Sequence, residues 1–513
     1  MKKSKYFIVA FISNFCMMAI EIIAGRILAP YIGVSHYTWT TVIGIVLIGI
    51  SIGGYLGGKL SDSIPYPNTL GWVLLLGGIS VLSIPPMVNI CAPYTINNLP
   101  YIPRIVLITT IIFFVPSMVL GMITPIVLKL SIINLDNVGN IAGKIYAIGT
   151  VGAILGTFVA GFFLIPLLGT RLIFILVGLI LIIASFLFGS LLMPRHPKHP
   201  TISSIVIIMI LVGSLYAAFP LNPIKSEVFS NSIYYKESNY YTIRVVKPQN
   251  QNSASNYLLL YLDLLLHSYV NINDPLDLRY EYIKMYGEII DYLAMNKPVF
   301  SSLNIGGGGY VFPKYMEAVY PGSSFDVVEI DPEVTNVDYE YLGLSRSTKI
   351  KSYNLDGRWY LMNCRKKYDF IFMDAINDIS IPYNLVTMEF NELIKQNLDD
   401  DGFFITYIID RFPGGDFIYP YYLTLCRVFG DGNVSMFVPI NNGDIVYVAS
   451  RKKLDINKLT AFLANKYKGK HFTTYVSPEF INRKLNKKYA FALSDDYVPV
   501  EHIRSSLFMH VKK

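Results

Sequence analysis

Charge is distributed so unevenly along this 513-residue chain that its two parts cannot share one kind of fold. Residues 1–220 contain 11 basic and 3 acidic groups, whereas the rest of the chain contains 32 basic and 33 acidic groups. A soluble domain carries about 25% charged residues. The first part lies far below that level and the second part approaches it, so we predict a multi-pass membrane domain over residues 1–222 and a soluble part after it.

Long apolar runs in the first part define the expected membrane helices. A helix needs about 20 apolar residues to cross roughly 30 Å of hydrocarbon. Seven runs meet this requirement: 6–24, 39–58, 70–90, 105–128, 142–166, 172–193 and 202–220. The first run is too long for a cleavable signal peptide and contains an acidic residue, Glu21. The fold class expected here is therefore an α-helical bundle of about seven spans in a lipid bilayer.

Glycines recur at four-residue spacing inside several of these runs. The three lines are Gly49-Gly53-Gly57, Gly54-Gly58 and Gly152-Gly156. Small residues allow helix backbones to approach closely in lipid. The spacing therefore predicts tight helix packing, with a substrate path through the helices as the less favoured alternative.

The net charge of +7 is not a sign of nucleic-acid binding. The basic excess lies in short loops between apolar runs, where it orients helices in a bilayer. Nucleic-acid binding needs a basic face on a folded domain, and none is indicated. The four cysteines are widely spaced and form no CxxC pair, so neither a metal site nor a disulfide framework is predicted.

The soluble part begins with a pattern typical of antiparallel strands. Residues Tyr241–Lys247 alternate with period two, and Tyr257–Asp263 form a second strand-like run after a polar turn at 249–255. These features predict a small β element over residues 223–265. From Val299 onward, strands and helices alternate, which predicts an α/β Rossmann-like domain with a parallel sheet over residues 266–513.

A glycine run and two acidic positions in this domain predict a nucleoside pocket. Gly306, Gly307, Gly308 and Gly309 directly follow the predicted strand Val299–Ile305. Glycine lets the backbone come close to a ligand, and Glu329, 20 residues beyond the run, is placed to bind ribose hydroxyls.

A second acidic position distinguishes between cofactor classes. Asp356-Gly357 follows a third strand and suits hydrogen bonding to an adenine amino group, and the glycine run is not a GxGxxG. The pattern therefore favours S-adenosylmethionine or its decarboxylated form over a dinucleotide.

Several segments together resemble the spermidine synthase (polyamine aminopropyltransferase) family over roughly residues 230–450. They are Leu262-Asp263, Gly306–Gly309, Val328-Glu329-Ile330-Asp331-Pro332, Asp356-Gly357-Arg358 and Tyr368-Asp369 with Asp374. The membrane part is similar to that of bacterial and archaeal proteins in which a transporter-like bundle is fused to this domain. The resemblance implies transfer of an aminopropyl group from decarboxylated S-adenosylmethionine to a diamine such as putrescine.

The same resemblance assigns roles to individual residues. Asp374 would be the general base, Glu329 would bind the ribose and Asp356 the adenine. The remaining cofactor-binding positions would be Gly306, Gly307, Gly308, Gly309, Asp331 and Gly357. The substrate-binding positions would be His267, Tyr282 and Asp378. No metal is implied, and a homo-oligomer is an expectation from the soluble members of the family.

Departures from the family pattern keep two other functions open. The aspartate that ends the family's glycine run is Gly309 here, the glycine after Leu262-Asp263 is Leu264, and a glutamine position is taken by His267. Without that aspartate, a donor that keeps its carboxylate would not be repelled. An S-adenosylmethionine-dependent methyltransferase is therefore one alternative, and a non-enzymatic polyamine transporter or sensor that uses Glu21 is another.

Two arguments disagree about the side of the membrane on which the soluble part lies. The positive-inside rule places the N-terminus in the cytoplasm, and seven crossings would then place the soluble part outside. The donor nucleoside is a cytosolic metabolite, which favours a catalytic domain in the cytoplasm.

Overall fold

The chain divides into two compact units, which are described separately. The first comprises residues 1–230 with 237–239, and the second comprises 231–236 with 240–513. The computed structural model describes residues 4–132, 135–189, 231–248, 257–375, 381–439 and 444–509.

Helices joined by short connections make up the first unit up to Gly189. The helices are α1 (Ser4–Ile32), α2 (His36–Ser63), α3 (Pro67–Leu82), α4 (Ile84–Asn98), α5 (Tyr101–Gly121), α6 (Ile123–Ser131), α7 (Val138–Val159), α8 (Ile165–Leu168) and α9 (Thr170–Phe188). A single π-helical turn, Ala160–Leu164, joins α7 to α8.

Five helical segments in the described residues are long and apolar enough to cross a membrane. They are Ser4–Ile32, His36–Ser63, Tyr101–Ser131, Val138–Leu168 and Thr170–Phe188. The pair α3 and α4 makes a sixth if it counts as one span bent by 40°. The expected span over 70–90 corresponds to this bent pair. Pro85 and Pro86, which lack the backbone N–H that a continuous helix needs, follow the break. The expected seventh run, 202–220, lies outside the described residues.

The predicted close packing of glycine-lined helices is confirmed for two of the three lines. A Cβ at Gly49 would lie 2.7 Å from Cβ of Ser117, and one at Gly53 would overlap the carbonyl oxygen of Met118 on α5. On α7, Gly152 and Gly156 approach the backbone of α1 in the same way. The Gly54-Gly58 line, in contrast, has no neighbouring atom within 4 Å of either Cβ position among the described residues.

The second unit begins with a four-stranded antiparallel sheet in the order β1-β2-β3-β4. Its strands are β1 (Ser232–Glu237), β2 (Thr242–Val246), β3 (Tyr257–Leu262) and β4 (Leu265–Asn271). The two predicted strands correspond to β2 and β3, and the polar turn expected at 249–255 falls outside the described part of the chain. Asp263, with φ of 52°, begins the tight turn between β3 and β4.

An eight-stranded sheet forms the body of the second unit, in the order β12-β10-β11-β9-β8-β5-β6-β7. The strands are β5 (Ser301–Ile305), β6 (Ser324–Val328), β7 (Lys351–Tyr353), β8 (Tyr368–Met373), β9 (Leu398–Ile409), β10 (Val434–Pro439), β11 (Asp444–Ser450) and β12 (Thr473–Val476). Strands β5 to β9 run parallel, and β10 to β12 add an antiparallel edge. The predicted Rossmann-like architecture is confirmed.

Helices cover both faces of this sheet. They are α10 (Glu281–Leu293), α11 (Val311–Val319), α12 (Pro332–Glu340), α13 (Gly357–Asn363), α14 (Met388–Asn397), α15 (Ile418–Phe429), α16 (Ile456–Lys466), α17 (Pro478–Lys484) and α18 (Val500–Met509). Because both faces are covered, all six residues of β8 are buried, as expected for an inner parallel strand.

Strand β9 differs from what its sequence indicates. The pair Asp401-Gly402 predicts a turn before a strand at Phe403–Ile409, but β9 continues through both residues, so this prediction is wrong. Its pairing with β8 shifts in register between Tyr368 and Phe370. The extra residues are accommodated by this irregular pairing, because a β-bulge absorbs additional residues without ending the strand.

Candidate active site

The glycine turn after β5 is shaped by close contact with the loop after β8. Gly306 has φ of +95° and donates its N–H to the carbonyl oxygen of Val328 at 2.8 Å. A Cβ at this position would overlap the carbonyl oxygen of Asp374. Only glycine satisfies both the left-handed backbone and the lack of space. The chain thereby brings the ends of β5, β6 and β8 to one point on the carboxyl edge of the sheet.

Glu329, which follows β6, holds the glycine turn through hydrogen bonds. One carboxylate oxygen accepts the N–H of Gly307 at 2.8 Å and that of Gly308 at 3.3 Å, and the other accepts the N–H of Asp331 at 3.0 Å. Burial raises the pKa of Glu329, while these three backbone donors act in the opposite direction. A carboxylate so held keeps lone pairs that can accept hydroxyl donors.

Two predicted cofactor-binding acids act as helix caps. Asp331 accepts the N–H of Glu333 at 2.9 Å at the start of α12, and it is almost fully buried. Asp356 accepts the N–H of Trp359 at 2.8 Å at the start of α13. A Cβ at the adjacent Gly357 would lie 2.6 Å from the side chain of Ile305. Asp356 and Gly357 therefore lie beside the end of β5, while neither acid lines the cavity described next.

A cavity of about 220 Å³ lies at this edge of the sheet. Its polar lining consists of His267, Ser268, Tyr280, Tyr282, Tyr286, Asn304, Asp374, Tyr407 and Asp444, together with Gly306, Gly307 and Gly308. No lysine or arginine lines it among the residues that the structure describes. Two carboxyl groups without a lining lysine or arginine give a cavity suited to a cation.

Asp374 follows β8 and is held by aromatic hydroxyls. The backbone N–H of Asp374 donates to the carbonyl oxygen of Ile305 at 2.8 Å. Tyr282 Oη donates to the two carboxylate oxygens of Asp374 at 3.1 and 3.3 Å. The Tyr282 ring stacks on Tyr407, with centroids 3.8 Å apart. Burial raises the pKa of Asp374 to about 7, and hydrogen bonds from Tyr282 and Tyr407 oppose the rise. A carboxyl group that titrates near neutral pH is suited to accept a proton from a substrate.

The remaining predicted site residues fall in different places. His267 lines the cavity from β4, and Tyr282 contacts Asp374 from α10. Gly309 donates its N–H to Ser268 Oγ at 3.0 Å, and a Cβ there would lie 2.7 Å from Val270 Cγ2. It packs on β4 and does not line the cavity. Asp378 lies outside the described residues.

Sequence reasoning missed six polar residues of the cavity, which are Ser268, Tyr280, Tyr286, Asn304, Tyr407 and Asp444. Asp444 is the first residue of β11 and pairs in register with Ile409, the last residue of β9. Because β11 runs antiparallel to β9, its N-terminal end lies at the carboxyl edge of the sheet. The apolar run Ile445–Ala449 predicts a strand, and the acidic residue directly before it was the signal that could have identified Asp444.

The fold and this edge together define a Rossmann-like domain with an acid-lined cavity at the carboxyl ends of its strands. Residues 303–409 match the family model described as the spermine/spermidine synthase domain. The match lies within the second unit, which is thus similar to that family there, and it covers only part of the chain.

Curated relatives agree with this match, and the chain is also similar to a solved structure. A polyamine aminopropyltransferase from Vibrio vulnificus is 35% identical over 134 residues, which are 25% of this chain and 44% of that protein. Polyamine aminopropyltransferase 2 from Aquifex aeolicus is 23% identical over 416 residues, 78% of each chain. A probable spermidine synthase from Corynebacterium glutamicum superposes with a TM-score of 0.43 at 18% identity, over 52% of this chain and 95% of that one. The chain thus spans less than half the length of the Vibrio relative.

Proposed function

We propose that the second unit is a polyamine aminopropyltransferase, which transfers an aminopropyl group from decarboxylated S-adenosylmethionine to a diamine such as putrescine. The observation that supports this best is Asp374, a buried carboxyl group with a pKa near 7 in a cavity lined by acids and tyrosines. An aminopropyl acceptor is a protonated amine at neutral pH, with a pKa near the lysine value of about 10.4. The acceptor therefore needs both a cation-binding cavity and a base.

The reaction follows from these positions. Asp374 accepts a proton from the acceptor ammonium, and the freed nitrogen lone pair attacks the propyl carbon bonded to the sulfonium sulfur. The new carbon–nitrogen bond forms as the carbon–sulfur bond breaks, and that bond pair remains on sulfur as 5′-methylthioadenosine leaves. Positive charge passes from sulfur to nitrogen, so the product is a longer polyamine. Tyr282 keeps the carboxylate of Asp374 oriented during proton transfer.

The donor nucleoside is assigned to the side of the glycine turn. Glu329 accepts the ribose hydroxyls there, and Asp356 with Gly357 lies at the end of β7, where the adenine amino group is placed. In open α/β sheets, ligands bind outside the carboxyl ends of the strands where the strand order reverses. Here the order reverses between β5 and β8, the strands that precede the glycine turn and Asp374.

The test measures 5′-methylthioadenosine release by the full chain in detergent, with putrescine and decarboxylated donor. Asp374→Asn should lower kcat by about 10²–10⁴-fold, because general-base catalysis contributes about that much. Asp401→Asn, which removes an exposed carboxylate on β9, is the matched control and should retain activity. Equal rates for Asp374→Asn and the control, or no methylthioadenosine from the wild type, would refute the proposal.

A methyltransferase that uses intact S-adenosylmethionine is the second candidate, and Gly309 favours it. The family's aspartate is missing at this position, and Val270 and Ser268 fill the space that its side chain would need. No carboxylate from the turn would then repel the donor's own carboxylate. Release of S-adenosylhomocysteine from intact donor, with no methylthioadenosine from the decarboxylated donor, would decide for this alternative.

We also propose that the first unit anchors the protein in the cell membrane and that the second unit faces the cytoplasm. Five apolar helices, or six with the bent pair, are long enough to cross a bilayer. The nucleoside donor is made and used in the cytosol, so a catalytic domain on that side has access to it.

A further inference from the structure

The order of the strands arranges the site residues along one direction of the sheet. Glu329 and Asp356 follow β6 and β7, the glycine turn follows β5, and Asp374 follows β8. Beyond β8 in the same direction, the next strands are β9 and then β11, and Asp444 is the first residue of β11. Asp374 therefore lies between the nucleoside side of the sheet and Asp444.

Asp444 is placed to contribute its charge to the cavity. It lines the cavity together with Asp374, and its registered neighbour on β9, Ile409, lines the cavity as an apolar residue. Asp444 and Asp374 are the two acidic residues among the described residues that line it. The charge of Asp444 also contributes to the raised pKa of Asp374, which agrees with the two carboxyl groups sharing one space.

The spacing of the strands separates the two acids by a distance useful for binding. Neighbouring strands lie about 4.8 Å apart, so β8 and β11, with β9 between them, lie about 10 Å apart. Two anions at such a separation match a molecule with two cationic ends joined by a short carbon chain. Ile409 lies between the two ends of this path and offers an apolar surface to the carbon chain.

We propose that Asp444 binds the distal ammonium group of the diamine acceptor, the one that does not attack the donor, and so selects diamines over monoamines. This inference rests on the function proposed above, and it assigns the acceptor's orientation within that site. The attacking nitrogen lies at Asp374 beside the nucleoside, and the other nitrogen points along the sheet toward β11.

Binding of a diamine and a monoamine to the full chain in detergent tests this assignment. The probes are putrescine and n-butylamine, which share a four-carbon chain and differ in the second ammonium group. Calorimetry is done with saturating 5′-methylthioadenosine. Wild type should bind putrescine at least tenfold more tightly than n-butylamine. Asp444→Asn, which keeps the side-chain shape, should weaken putrescine binding about tenfold and change n-butylamine binding less than twofold.

Asp401→Asn again supplies the control, since it removes a carboxylate from the same strand pair at the end far from the cavity. The thermal midpoint of each variant establishes that it is folded. Unchanged discrimination in Asp444→Asn, equal weakening for both amines, or no putrescine binding by the wild type would overturn the assignment. Asp444-dependent putrescine binding without methylthioadenosine release would refute the proposed reaction and leave this binding site in place.

Discussion

Two opposing influences act on the carboxyl group of Asp374. Burial disfavours its charged form, and hydroxyl donors from Tyr282 and Tyr407 favour it. The balance leaves a pKa of about 7, so the group is deprotonated often enough to act as a base and is basic enough to hold a proton. The pKa of this one residue therefore predicts the pH range in which the site works.

The pH dependence of the reaction should report this balance. With a base that must be ionised, kcat/KM rises with pH on the acid side and levels off above about pH 7. Tyr282→Phe removes a hydrogen bond to the charged form and should move this limb upward by about one to two pH units, since such a bond contributes roughly 1.5–3 kcal/mol.

Steady-state rates of methylthioadenosine release over pH 5–9 provide the measurement. Tyr280→Phe is the matched control, because Tyr280 lines the same cavity but donates to the carbonyl oxygen of Leu266 at 2.9 Å. Its limb should stay where the wild type has it. A Tyr282→Phe limb that also stays there would show that Tyr282 does not set the pKa of Asp374.

Stability should depend on pH through the same group. The pKa of Asp374 is about 7 in the folded state, against 3.8 for an unperturbed aspartate. Between these values the folded state binds more protons, so the free energy of unfolding contributed by this group falls as pH rises. Asp374→Asn should therefore raise stability by about 2–4 kcal/mol at pH 8 and leave it nearly unchanged at pH 4. Thermal unfolding at the two pH values checks this, and an equal effect at both would contradict it.

At the scale of single elements, sequence patterns located segments better than they located contacts. The run Tyr368–Met373, which is apolar except for Asp369, predicts a buried strand ending at Asp374 because both faces of an inner strand need apolar residues. The roles of Asp331 and Asp356 are harder to predict. An aspartate that ends a strand also begins a helix here, and helix capping occupies its carboxylate with a backbone N–H.

The features of the site that could not be predicted from the sequence are contacts between residues far apart in the chain. Tyr282 meets Asp374 across 92 residues, and Asp444 enters the cavity through its register with Ile409. Neither depends on local periodicity. The sequence shows a glycine at position 309, where the family pattern has an aspartate. It does not show that a side chain there would collide with Val270 on β4.

Glycine lines in the helical unit provide a sharp comparison between neighbouring residues. A Cβ at Gly53 would overlap the carbonyl oxygen of Met118, whereas one at Gly54 meets no atom within 4 Å among the described residues. Gly53→Ala should therefore separate α2 from α5 and cost about 1–3 kcal/mol, as overpacking does. Gly54→Ala should be neutral or slightly stabilising, because alanine favours helix by about 1 kcal/mol. Thermal midpoints in detergent micelles measure both, and equal shifts would refute this helix contact.

At the scale of the whole molecule, the basic residues near the helix ends constrain the topology. With six spans, counting the bent pair as one, Lys2, Lys3, Lys5, Lys59, Lys129, Lys144, Arg195 and Lys198 fall on one side of the membrane. Arg26, Arg104 and Arg171 fall on the other. If these segments cross a membrane, the positive-inside rule predicts that both the N-terminus and the chain position at Gly189 lie on the cytoplasmic side. Six crossings thus agree with a cytoplasmic second unit, and a seventh single crossing at 202–220 would not.

Reporter fusions at two positions decide between six and seven crossings. A fluorescent protein that folds only in the cytoplasm, joined after Gly189 or after Lys513, should give signal at both positions, because an even number of crossings returns the chain to its starting side. Alkaline phosphatase, active only outside, should be inactive at both. Opposite results at the two positions would mean that residues 202–220 cross the membrane. The acid-lined cavity would then lie on the side away from the cytosolic donor, which would count against aminopropyl transfer.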